Sequence, residues 1–134
     1  MILPSVKKIC FPNKDVGESS LSIFEEGNVP FSIKRIFTIQ VEKSCKRGFH
    51  AHKECAQLLI CLMGKCTVIC DDGTNRQPFV LNNSAEGLII PPTLWAEQEY
   101  EPNTILMVLT DCVYDELDYI RDYDKFLEYR KTLK

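Results

Sequence analysis

The two histidines of this 134-residue chain both fall in one short segment, Arg47-Gly48-Phe49-His50-Ala51-His52. On an extended strand, residues two apart share a face, so both imidazoles are expected to project into one space. An imidazole titrates near 6.5, which suits a pair of them to taking and returning protons near neutral pH. The competing arrangement puts Phe49 and Ala51 in the core and leaves both histidines on a solvent face. Seven cysteines are present, an odd count that leaves at least one unpaired in any disulfide scheme. Cys61, Cys66 and Cys70 sit in apolar stretches without CxxC spacing and are expected to be reduced, buried thiols. Cys55 lies close to the histidines in sequence, and a nucleophilic thiol is the alternative there.

Such side chains need a scaffold, and the chain reads as mostly strands. Short segments rich in β-branched and aromatic residues recur between turn residues, the pattern of an all-β sandwich or barrel. Strands are predicted near Val6–Phe11, Leu21–Glu25, Ile33–Val41, Gly48–His52, Gln57–Leu62, Cys66–Cys70, Gln77–Leu81, Gly87–Ile90 and Ile105–Leu109. Gly64 separates two apolar runs, Asp71-Asp72-Gly73 forms a hairpin turn, and Pro91-Pro92 stops a strand. From about 115 to 132 the spacing of Leu117, Ile120, Phe126 and Leu127 among charges predicts one amphipathic helix, packed on the barrel or on a second subunit. One domain over residues 1–134 is expected, with strands to about 112.

The composition narrows the function classes. With 16 Lys and Arg against 19 Asp and Glu, the net charge is −3, which argues against a nucleic-acid partner. The runs Leu58–Met63 and Ile105–Leu109 are far short of the roughly 20 residues of a membrane helix. The first residues lack the apolar stretch of a signal peptide, so a cytoplasmic location is expected.

The spacing His50, His52, Gln57, Gly64 resembles the first motif of the cupin superfamily, HxH(x)3-4E(x)6G, with Gln57 in the glutamate position. Gly87 to Pro92 with Trp95 corresponds to the second motif, whose histidine position falls on Ala96. Two imidazoles, an amide and a methyl fall short of the three or four ligands a metal centre uses, so a barrel without metal or other cofactor is expected. More specifically, Phe31-Ser32-Ile33-Lys34-Arg35, Arg47 to Lys53, Gln57 to Leu62, the Asp71-Asp72-Gly73 turn and Tyr114 to Arg121 resemble the sugar-nucleotide 3,4-ketoisomerases over about residues 20 to 130.

That resemblance implies a cupin or jelly-roll β-barrel with a C-terminal α-helix. It also implies an often domain-swapped homodimer, acting on thymidine-diphosphate-4-keto-6-deoxyglucose in the synthesis of deoxysugars for bacterial surface glycans such as O-antigen or S-layer glycan. His52 is then expected to be the base at C3, with His50 moving protons between the oxygens or delivering one at C4. Arg47 would hold an oxygen of the sugar or diphosphate bidentately, and Gln57 would bind a hydroxyl or orient His52. Arg35 shares strand parity with Phe37 and Ile39 and is the diphosphate candidate, Lys34 facing away. Trp95 would stack on thymine or sugar; its structural alternative is a core position. Arg121 is read as a solvated helix residue. Relatives commonly have tyrosine where this chain has Phe37 and His or Arg where it has Ala96, and Asp15–Leu21 matches their pattern poorly, so stereochemistry at C4 is not read from sequence. A catalytically silent sugar-nucleotide-binding cupin, a 3,5-epimerase of the same substrate and a metal-dependent dioxygenase are the alternatives.

Overall fold

The computed structural model describes residues 3–133. In chain order the strands are β1 (Lys7–Cys10), β2 (Asn13–Val16), β3 (Ser19–Ser22), β4 (Arg35–Val41), β5 (Cys45–His52), β6 (Gln57–Met63), β7 (Cys66–Asp71), β8 (Arg76–Leu81), β9 (Glu86–Ile90), β10 (Trp95–Tyr100) and β11 (Thr104–Thr110). A 3₁₀ turn (Glu116–Asp118), a short strand β12 (Tyr119–Ile120) and the helix α1 (Tyr123–Thr132) complete the chain.

Two antiparallel five-stranded sheets face each other, ordered β1-β9-β6-β11-β4 and β12-β5-β10-β7-β8. From β4 onward the chain crosses from one sheet to the other at almost every step, which wraps the strands into a jelly roll. The interior comes from alternate residues of both sheets: Leu59 and Cys61, Val68 and Cys70, Leu88 and Ile90, Leu106 and Val108. β6 is buried on its other face too, where Leu58 and Ile60 meet Phe11, Val29 and the chain segment carrying Phe24, Phe31 and Ile33. Double burial explains why its sequence reads as an unbroken apolar run.

The outer face of the second sheet is covered by α1, with Phe126 fully buried against Ala51, Trp95 and Ile120. Polar bonds fix the helix: Tyr123 donates to Asp71 at 2.8 Å, Arg76 reaches both Asp71 and Glu97, and Asp122 caps the first turn by accepting from the Lys125 N–H.

The nine predicted strands are present with shifted ends. β2, β10 and β12 are additional, and the tail corrects the expectation of one helix over 115–132. Among the described residues of the tail only Tyr123–Thr132 is α-helical, and Leu117, counted toward the apolar stripe, is 83% exposed. Ahead of the helix, Asp115 and Asp118 turn the chain and β12 joins the edge of β5, pairing Tyr119 with His52 and Ile120 with Ala51. The cysteine reading is corrected in one place. Cys61, Cys66 and Cys70 are buried free thiols, but Cys55 is bonded to Cys112, joining the β5–β6 turn to the segment after β11. The close approach of these two segments, also held by the Ala56 N–H to Asp111, is a tertiary feature that sequence proximity does not reveal.

Candidate active site

At one end of the barrel the apolar interior gives way to a cavity of about 560 Å³. β4, β5, β6, β10 and the segment from Tyr114 to Arg121 contribute its wall. A somewhat larger groove of about 640 Å³ runs along α1, but no imidazole lines it.

β5 carries the two histidines, and its geometry decides which residues join them. Ala51 packs outward under α1, so His50 and His52 both face inward, with ring centroids 5.1 Å apart. The exposed-pair arrangement is thereby excluded. Strict alternation would send Arg47 to the opposite face from His50. The pairing with β10 shows why it does not: His50 is opposite Ala96 and Gly48 opposite Glu97, leaving Phe49 unpaired in a bulge. Gly48 and Phe49 both have positive φ, +87° and +58°. Past the bulge Arg47 pairs with Gln98, an inward residue of β10, so Arg47 lines the same cavity as His50.

β4 behaves as its alternation predicts. Arg35, Phe37 and Ile39 line the cavity, and the Arg35 guanidinium sits 4.5 Å from the centre of the Phe37 ring and 5.1 Å from that of Tyr114. Neither Arg35 nor Arg47 has a carboxylate within ion-pairing distance among the described residues. Two unneutralised guanidiniums on one cavity form a receptor for an anion such as a diphosphate.

Gln57 begins β6 and faces inward beside His52, its Nε2 lying 3.1 Å from His52 Nε2. The other ring nitrogen, Nδ1, lies 2.8 Å from Asp118 Oδ2. His52 is 7% exposed and stands behind Gln57, whereas His50 lines the cavity and its Nδ1 has no hydrogen-bond partner among the described residues. Burial, then the neighbouring His52, pushes His50 from its ordinary 6.5 down to about 4. Burial also lowers His52, with the Asp118 hydrogen bond acting in the opposite direction. Both rings are therefore neutral, proton-accepting bases at pH 7.

Trp95 does not reach the cavity. It belongs to the outward parity of β10, packs against Phe126 and Tyr123, and donates its indole N–H to Glu97 at 2.9 Å. Its expected stacking role is corrected to a core one. Arg121 is corrected the other way: it precedes α1, lines the cavity, lies over the Tyr119 ring at 4.2 Å and forks onto Glu116 at 2.8 and 2.9 Å. That guanidinium, then the Tyr114 hydroxyl, holds Glu116 down to about 2. Tyr114, Asp118, Tyr119 and Gln98 are site residues that residue-by-residue reading missed. Three of the four lie in the Tyr114–Arg121 block, whose lack of an apolar helical stripe before Ile120 was the available signal.

The ligand positions of metal-bearing cupins fall here on His50, His52, Gln57 and Ala96. A methyl and a neutral amide replace two donors, and both nitrogens of His52 face protein partners. Cys55 also lies near His52 and Asp118, but its sulfur is bonded to Cys112. This donor set does not fit a resident metal.

Residues 4–131 match the protein family described as FdtA: WxcM-like, C-terminal. Over 113 residues the chain is 46% identical to the TDP-4-oxo-6-deoxy-alpha-D-glucose-3,4-oxoisomerase of Aneurinibacillus thermoaerophilus, covering 83% of this chain and 81% of that protein. It superposes on the crystal structure of QdtA, a sugar 3,4-ketoisomerase from Thermoanaerobacterium thermosaccharolyticum in complex with TDP, with a TM-score of 0.91, 34% identity and 98% of each chain covered. A histidine-to-asparagine variant of QdtA in complex with TDP-4-keto-6-deoxyglucose gives the same TM-score and identity, covering 97% of this chain and 96% of that one. A 3,4-ketoisomerase from Helicobacter canadensis matches with a TM-score of 0.90 and 37% identity, over 94% of this chain and 97% of that one. Near-complete coverage at these identities carries more than a shared fold, and the chain belongs to the cupin-type sugar-nucleotide 3,4-ketoisomerase family.

Proposed function

We propose that this protein is an isomerase that moves the carbonyl of TDP-4-keto-6-deoxyglucose from C4 to C3 by histidine acid–base chemistry. The observation that carries it is a pair of neutral imidazoles, His50 on the cavity wall and His52 buried beside it, with two unpaired guanidiniums on the same wall, in a chain whose relatives are named for this reaction.

The C4 ketone acidifies the proton on C3. His52 removes that proton, and the C–H electron pair forms the C3–C4 double bond while the carbonyl electrons move to O4, giving an enediolate. A proton delivered to O4 makes the enediol. Loss of the proton on O3 then forms the C3 carbonyl as a proton adds to C4, so the substrate is isomerised without gain or loss of atoms. His50, uncharged and open to the cavity, is suited to carrying the proton between O3 and O4. For C3 to reach His52 Nε2, the Gln57 amide gives up its place there and turns to a sugar oxygen. Arg47 and Arg35 take the diphosphate, and Phe37 and Tyr114 offer aromatic faces to the thymine.

The protein is read as one domain working as a homodimer in the cytoplasm, its product serving deoxysugar synthesis for surface glycans such as O-antigen or S-layer glycan. The β2–β3 ribbon supports the dimer, because among the described residues it pairs with no other strand and leaves Val16 and Leu21 exposed. β1 pairs with β9 of the same chain, and an exchanged arm would make the same pairs between subunits. The reading is tested by incubating the protein with the 4-keto sugar nucleotide and following the sugar by NMR. A 3-keto product is expected, whereas unchanged substrate that binds or a C5-epimerised product would replace the reading with a silent binding protein or an epimerase.

A further inference from the structure

Gln98 is a polar residue in an apolar position. On β10 it shares the inward parity with Ala96 and Tyr100, both members of the core, and its partner on β7 is the fully buried Val68. Gln98 itself is 7% exposed. An amide placed there costs stability unless its donors and acceptors find partners. The Tyr100 hydroxyl supplies one, donating to Gln98 Oε1 at 2.6 Å. That separation fits an O–H···O bond and is short for N–H···O, so the carbonyl end of the amide faces the tyrosine. Burial raises the pKa of the Tyr100 hydroxyl, which therefore keeps its proton. Beside it lies the Cys66 thiol, pushed up by burial to about 12 and protonated as well.

With Oε1 turned to Tyr100, the amide nitrogen is left to the cavity that Gln98 lines. Nε2 meets no acceptor among the described residues, where the one sealed side-chain nitrogen or oxygen without a partner is His50 Nδ1. Gln98 Nε2 is therefore open to the cavity, with two unused N–H donors. Depth within the cavity separates two kinds of group. Arg47 is exposed and Arg35 half-buried, whereas Gln57 and Gln98 are buried. Guanidiniums toward solvent suit a diphosphate, and a neutral donor on the floor suits an uncharged oxygen.

We infer that Gln98 is a substrate-binding residue whose Nε2 donates to an oxygen of the hexose, and that Tyr100 is the positioning residue that holds the amide in that sense. This rests on the proposed reading of the cavity as the seat of a TDP-linked hexose, and it names the end of that ligand the amide serves. Attraction to the diphosphate is shared by every TDP compound. The Gln98 donor favours only those that carry the sugar.

The test is titration calorimetry with two ligands that are not turned over, TDP and TDP-glucose, on the wild type, Gln98→Met, Tyr100→Phe and the double variant. Methionine keeps the chain length and suits the apolar surroundings while removing both donors. Gln98→Met is expected to weaken TDP-glucose binding on the order of 10-fold while leaving TDP within about twofold. Tyr100→Phe is expected to weaken TDP-glucose about threefold, again sparing TDP, and to add no further loss in the Gln98→Met background, because it acts through the amide. A structural disturbance would lower both ligands together. Equal losses for TDP and TDP-glucose, or undiminished TDP-glucose binding in Gln98→Met, overturn the inference. In the wild type, the Gln98 side-chain amide protons are expected to shift in ¹H–¹⁵N NMR when TDP-glucose binds and to stay in place when TDP binds. That measurement decides even if the variants do not fold, and an amide signal unmoved by TDP-glucose overturns the inference. Binding is read without turnover: a hexose-selective loss in a protein that does not isomerise the 4-keto sugar removes the proposed reaction and keeps the role of Gln98. An unselective loss in an active isomerase does the reverse.

Discussion

At the scale of single residues, the site separates two imidazoles that the sequence presents as equals. His50 stands on the cavity wall without a carboxylate, and His52 stands deeper between Asp118 and Gln57. Both are lowered by burial, which has a consequence for pH. An unfolded chain takes up protons on these rings as pH falls through 6.5, while folded His50 does so only near 4. Folding stability is therefore expected to decline between pH 6.5 and 4 as the unfolded state gains protons the fold refuses. Activity should follow the same chemistry. The acid limb of kcat/KM is expected below 6.5, with the apparent values belonging to the pair rather than to either ring. A pH–rate profile with its acid limb at or above 6.5 would contradict neutral, buried imidazoles.

At the scale of elements, the bulge in β5 is the device that assembles the cavity wall. It returns Arg47 to the face of His50, at the cost of a left-handed Phe49 and a glycine with no room for a side chain. A Cβ on Gly48 would stand 2.9 Å from the Ala96 carbonyl oxygen. Gly48→Ala is expected to lose about 1–3 kcal/mol of stability, the range for strained backbone, and to depress kcat/KM by moving Arg47 and His50. Urea unfolding and kinetics would check this, and wild-type values in both would show that the bulge is dispensable. Alternation alone puts Arg35 and Phe37 on one face and the two histidines on one face, because no bulge falls between Arg35 and Ile39 or between His50 and His52. Arg47 was singled out for its guanidinium, although strict parity pointed it away. The sequence around β10 hid its strand, since Glu97 and Glu99 on the outer parity break the apolar pattern that marks β-structure. The Tyr114–Arg121 block was legible as a motif but not as a 3₁₀ turn and strand, because its shape comes from Asp118 clasping the β5–β6 turn, a contact between distant parts of the chain. Trp95 was misplaced for the same reason: its parity follows from strand β10 and its burial from the later helix.

For the whole molecule, the jelly roll packs its core between two sheets and opens into a cavity at one end. Among the described residues no helix is long and apolar enough to cross a membrane. The β2–β3 ribbon is a separate two-stranded sheet with every residue of β2 exposed, and the proposed dimer would bury it against a second copy. Sedimentation at micromolar concentration is expected to give a species of twice the 15.4 kDa chain mass. Deleting Asn13–Ser22 is expected to weaken that association. A single species at the monomer mass for the intact chain would remove the dimer from the account.

The central claim is that His52 takes the proton from C3 and His50 serves the later transfers. It is tested most directly by following exchange of the C3 proton in deuterium oxide, alongside product formation, in His52→Asn and His50→Asn. Asparagine keeps polarity and approximate size but accepts no proton, so TDP affinity is expected to change little in either variant. His52→Asn is expected to lose both exchange and isomerisation by on the order of 10²- to 10⁴-fold. His50→Asn is expected to retain measurable C3 exchange while net product falls. Full C3 exchange in His52→Asn with intact nucleotide binding would contradict the account.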